Sequence, residues 1–146
     1  MLINEEIQSL LDKLTATYLT KGVQPSEISD AIFEKSYQAI EVSKQEDLVY
    51  YDISFLEDDD DGLPPAIHKM RYIYNLERYL LRVEQKVGRK KYVQQWDREV
   101  SIKEMICSLS SLLLELNDEG AVNCFIKTLP DDLYQQVSAK VITLAA

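Results

Sequence analysis

Apolar residues recur every three or four positions over most of this chain, the spacing that places them on one side of an α-helix. Ile3, Ile7, Leu10, Leu11, Leu14 and Tyr18 form a first stripe, with Asn4 as cap, Glu5 and Glu6 near the positive helix end, and Gly22 as the stop. Pro25-Ser26 opens a second helix, with Ser26 as cap and Glu27 in its first turn. Its apolar face runs Ile28, Ala31, Ile32, Ala39 and Val42, and a second stripe runs Phe33, Tyr37 and Ile40, which predicts a helix held between neighbours. Residues 47–56 fit a short strand or a short helix: Tyr51, Ile53 and Phe55 alternate, while Leu48, Tyr51 and Phe55 suit a helix. A lone strand has no evident mate, which favours the helix.

The longest helical pattern spans about 66–88, inside the stretch Pro64–Val100. Ile73, Leu76, Leu80, Val83 and Val87 make one apolar row, and Met70, Tyr74 and Leu81 another. At about 100° per residue Arg71, Arg78, Arg82 and Arg89 fall within a narrow arc, with Gln85 among them. Beyond it Ser101 can cap a helix carrying Ile102, Met105, Ile106, Leu109, Leu112, Leu113 and Leu116, ending near Gly120. Residues 121–128 add a turn or two. Pro130 starts a last helix with Asp131 and Asp132 in its first turn and Leu133, Val137, Val141 and Leu144 on one side. The expectation is an all-α, single-domain bundle, 1–146, of five or six helices around a long central one.

Composition agrees with a globular chain: 146 residues, 46% hydrophobic, with four Gly and four Pro, too few for a turn-rich sandwich. No apolar run reaches the ~18–20 residues of a membrane span, and MLINEEIQSLL has no basic leader, so a soluble cytoplasmic protein is expected. Cys107 and Cys124 lie among apolar neighbours without CxxC spacing, and are expected as buried free thiols.

Charge changes the picture most. The net charge is −9, yet residues 68–98 hold nine Lys or Arg against Glu77, Glu84 and Asp97, a local +6 that leaves −15 elsewhere. Just before this basic stretch stand Glu57, Asp58, Asp59, Asp60 and Asp61, followed by Gly62 and the Pro64-Pro65 breaker. A calcium loop would need a bidentate Glu where His68 stands. Helix-bundle metal sites use Glu-x-x-His, which is absent. His68 follows no nucleophile motif, and the glycines are too scattered for a phosphate loop. Neither a metal nor a cofactor is expected.

These features imply a small acidic, non-enzymatic interaction protein. The expected form is an inhibitor or immunity-type protein whose Glu57–Asp61 loop masks a basic site on another protein. The alternative is a helical subunit of a nucleic-acid-handling complex that uses the Arg71, Arg78, Arg82 and Arg89 face. The surrounding negative charge disfavours that alternative. A homodimer is compatible with helices apolar on more than one side.

Overall fold

The computed structural model of the chain describes residues 2–57 and 64–146. It overturns the all-α expectation: 30% of the described residues are strand and 49% helix, and the strands form one five-stranded antiparallel sheet. The chain divides into two compact units, one of residues 1–20 and 99–146, the other of residues 21–98. Each has its own core.

The first unit is helical and follows the 3.6-residue pattern. Helix α1 spans Leu2–Leu19, α3 Arg98–Glu115, α4 Glu119–Ile126 and α5 Asp131–Ala145. Ile7, Leu11 and Leu14 of α1, Ile106, Leu109 and Leu113 of α3, and Leu133 and Val137 of α5 bury their side chains together with Ile126 and Leu129. The full burial of a Leu of this kind stabilises by about 2–3 kcal/mol. Asp118 starts α4 by accepting the Gly120 and Ala121 amides at 3.0 and 3.3 Å, which satisfies donors that a helix start otherwise leaves unpaired. Within this core Ser110 is fully buried and its Oγ has no hydrogen-bond partner. Ser110→Ala is therefore expected to raise stability by about 1 kcal/mol, read as a higher melting temperature by circular dichroism. Cys107 and Cys124 are free, but both are exposed and not buried as expected. Each lies off its helix's core-facing stripe. No helix among the described residues is long and apolar enough to cross a membrane.

In the second unit α2, Pro25–Asp30, is short and continues into a 3-10 turn, Ala31–Phe33. Its cap is Gln24, not Ser26: the Glu27 carboxylate accepts the Gln24 amide at 2.7 Å, with Pro25 in the first helical position. Then β1 (Tyr37–Gln45), β2 (Leu48–Glu57), β3 (Ala66–Asn75), β4 (Leu80–Val87) and β5 (Val93–Asp97) follow as a meander in the order β1-β2-β3-β4-β5. The expected second helix thus ends at Asp30. Ile40 and Val42, which looked like parts of two helical stripes, share one face of β1. The segment 47–56 is a strand because it does have mates, β1 and β3.

The long central helix at 66–88 is a hairpin. Asn75 breaks it: its Oδ1 accepts the amides of Glu77 and Tyr79, each at 3.0 Å, and Arg78 turns through φ 73°. His68, Met70, Tyr72 and Tyr74 face one side of β3 and Ile67, Lys69, Arg71 and Ile73 the other, in the two-residue period of a strand. The first face is the apolar one. There Ile53, Tyr74 and Leu80 bury against Ile28, flanked by Val49, Tyr51, Met70, Val83 and Trp96. Gly22 closes this core, since a Cβ there would stand 2.9 Å from that of Leu80 and its φ is +92°.

Candidate functional site

The opposite sheet face carries Ile67 and the buried Ile73 but is otherwise mostly polar, and the antiparallel register decides how its charges meet. Glu41, Asp52, Arg71, Glu84 and Gln94 stand opposite one another in a single row across β1 to β5. Tyr50, Ile73, Arg82 and Asp97 make the next row. Arg71 donates from Nε to Asp52 Oδ1 at 2.8 Å and from Nη2 to Oδ2 at 3.3 Å, the two-pronged geometry that suits a guanidinium and a carboxylate. Its Nη1 lies 3.9 Å from Glu84. Arg82 reaches Glu84 at 3.8 Å and Asp97 at 3.2 Å. The result is an alternating ladder, Asp52–Arg71–Glu84–Arg82–Asp97. The Asp52, Glu84 and Asp97 side chains retain only 16%, 19% and 15% of their exposure, so solvent screens them less than typical surface pairs.

Aromatic rings complete the ladder. The Tyr92 ring centre lies 4.0 Å from the Arg71 guanidinium and that of Tyr50 5.6 Å. The hydrogen bond to Asp52 raises the Arg71 pKa, burial opposes it, and the charge of Asp52 adds to the rise. Burial raises the Tyr92 phenol, and the negative charge of Asp52 raises it further while Arg71 pulls it back. This arrangement neutralises charge and pins strand register.

One row further along the sheet, Lys69 and Lys86 stand directly opposite each other. Lys86 Nζ lies 5.4 Å from the Tyr92 ring, and Arg89, Lys90 and Lys91 occupy the turn that follows β4. On the apolar face His68 is held by three neighbours. Gln85 Nε2 lies 3.1 Å from its Nδ1, Glu57 lies 3.4 Å from its Nε2, and Phe55 stacks on its ring at 5.4 Å. The Gln85 side-chain nitrogen is a donor, so Nδ1 accepts in this contact. Nothing in the local sequence announces this cluster; it emerges only when β2, β3 and β4 are aligned. The two cysteines, the chain's strongest nucleophiles, belong to the helical unit.

The arginine face expected on one helix is therefore dispersed. Arg71 and Arg82 share a sheet face and are ion-paired, Arg78 sits in the β3–β4 turn, and Arg89 lies past the other end of β4. Of the acidic loop, Glu57 ends β2 and approaches His68, whereas Asp58–Asp61 lie outside the described residues. Among the described residues no group of three or more His, Cys, Asp or Glu is disposed to hold a metal ion.

The helical unit presents the other candidate surface. A groove of about 540 Å³ runs between α3, α4 and α5, floored by Leu113, Val122, Ile126, Tyr134 and Val141 and edged by Asp118 and Glu119. Comparison with protein-family models, with curated proteins and with solved structures yields no match. Any functional reading therefore stands on these two surfaces.

Proposed function

We propose that the protein is a non-catalytic interaction module of the inhibitor or immunity kind, whose acidic surface covers a basic site on a partner protein. One observation carries this reading: the partition of charge between the units. The central cations of the sheet, Arg71 and Arg82, are neutralised in the ladder. In the helical unit ten carboxylates face four lysines, Lys13, Lys103, Lys127 and Lys140. Its one side-chain ion pair among the described residues is Glu99–Lys103 at 2.9 Å. The groove beside Asp118 and Glu119 supplies apolar area for a partner to bury, and the carboxylates supply attraction at long range.

A partner isolated from the native host tests this by its association kinetics. The association rate should fall roughly tenfold or more between low and high salt. Glu115→Gln/Glu119→Gln and Asp58–Asp61→Asn should each slow association and leave dissociation nearly unchanged. Salt-independent association, unaltered in both variants, would remove the acidic surface from the mechanism.

A further inference from the structure

The outer strand β1 leaves one edge of the sheet open, and the hydrogen-bond parity of the sheet identifies the groups that it offers. At one end of the β1–β2 hairpin the turn Glu46-Asp47 is closed by Gln45 opposite Leu48. At the other end the Leu56 amide donates to the Ser36 carbonyl at 2.9 Å. Even-numbered residues of β2 therefore bond to β1, and odd-numbered ones to β3. Ile40, Val42 and Lys44 stand opposite Ile53, Tyr51 and Val49. Their N–H and C=O groups consequently point away from the sheet.

Apart from the charges of Glu41 and Lys44, this edge lacks the usual protections. β1 has nine residues and no proline, its one irregularity lies between Tyr37 and Ala39, and Glu41–Gln45 are exposed. The opposite edge, β5, has five residues, and its pairing is interrupted midway. Side chains point the same way. Val42, Tyr51, Tyr72, Val83 and Trp96 form one apolar row across all five strands, and that row ends in solvent at Val42, 57% exposed.

We propose that two copies of this chain pair antiparallel along their β1 edges, about a two-fold axis at Val42. This register alone engages all three outward residues: Val42 faces Val42 of the second copy, and Ile40 faces Lys44. Glu41 then meets Ser43. A two-fold axis at Glu41 would oppose two carboxylates, and one at Ser43 would leave Ile40 unpaired. At Val42 the apolar row continues from one sheet into the next, and the exposed valines cover each other. The pairing uses no part of the acidic surface.

Sedimentation equilibrium on the full chain tests this pairing. Wild type should dimerise, and Val42→Pro, which lacks the outward N–H, should weaken the dimer at least about tenfold. Val42→Cys, in a Cys107→Ser/Cys124→Ser background, should oxidise to a covalent dimer, because directly opposed residues of this type lie about 5.5 Å apart at Cα, within disulfide reach. That second arm decides the matter even if Val42→Pro fails to fold. A wild type that stays monomeric up to about 1 mM overturns the pairing, whether or not a foreign strand binds the edge. So does a dimer in which Val42→Cys does not crosslink.

Discussion

Tyr74→Ala is expected to destabilise the sheet unit by about 3–5 kcal/mol, most of what a domain of this size has to lose. Tyr74 is 1% exposed at the centre of the second core, beside Ile28, Ile53 and Leu80. Its ring meets that of Tyr51 edge-on, with centres 5.9 Å apart, and its hydroxyl donates to the Val23 carbonyl. Truncation thus removes a large buried ring and leaves the Val23 carbonyl without its donor. Urea unfolding followed by Trp96 fluorescence measures the loss, since Trp96, the one tryptophan, packs against the same core. A transition superimposable on wild type would show that this core does not hold the sheet. Tyr74→Phe keeps the ring and should cost only about 1 kcal/mol.

The same residue sets an alkaline limit. Burial raises the Tyr74 phenol far above its ordinary value, with the neighbouring Tyr72, Tyr51 and Glu27 adding to the effect. Burial, and then Tyr37, raise Tyr72 as well. The unfolded chain releases these protons from about pH 10, while the native state retains them. Their stabilisation is therefore complete below about pH 10 and is lost as the pH climbs, by about 1.4 kcal/mol per pH unit for each such tyrosine. Tyr74→Phe should flatten that decline by one proton. An unchanged slope would mean that Tyr74 is not the group that titrates.

The helical unit was legible in the sequence because each of its helices has a single apolar stripe. Ile7, Leu11 and Leu14, or Ile106, Leu109 and Leu113, have no second apolar face to confuse the period. The sheet was not legible for two physical reasons. Its central strands carry apolar residues on both faces, Tyr72 and Tyr74 on one and Ile67 and Ile73 on the other, so alternation is blurred and Met70, Ile73 and Tyr74 imitate a helical row. Two of its turns also lack the usual signals. At the β1–β2 and β3–β4 turns the positive-φ positions are taken by Glu46 at 55° and Arg78 at 73°, where glycine or asparagine would have announced a hairpin, while Gly88 after β4, at 57°, reads equally well as the end of a helix. What remained readable was the side chain of Asn75 and the run of aromatic and β-branched residues around it. The arginine arc failed for the same cause. Spacings of seven and four align on a helix, but on strands they separate paired Arg71 and Arg82 from Arg78 and Arg89 in the turns. The ladder itself depends on register, which only the folded hairpins define.

Arg71→Ala should be the most damaging change on the polar face, at about 2–3 kcal/mol. The guanidinium is the one cation in the row Glu41–Asp52–Arg71–Glu84, so its removal leaves no cation between Asp52 and Glu84 on the strands flanking β3, and leaves Asp52 beside Glu41 with no cation in the row. It also deprives Tyr92 and Tyr50 of the cation they flank. Repulsion of this kind is screened, so about 1 M salt should restore part of the loss in the variant while changing wild type less. Arg71→Lys keeps the charge but not the two-pronged bond to Asp52, and should fall between. The double variant Asp52→Ala/Arg71→Met separates a ladder that stabilises from one that only avoids unpaired charge. If the pair's attraction merely offsets its desolvation, the double variant recovers most of the stability that Arg71→Ala loses; if the ladder stabilises in its own right, it does not. An Arg71→Ala loss below about 0.5 kcal/mol would instead class the ladder with ordinary surface pairs. Unfolding by urea at two salt concentrations distinguishes the three cases. It also decides whether Arg71 is held as part of the sheet or is available to a partner. A large loss ties the guanidinium to its own carboxylates.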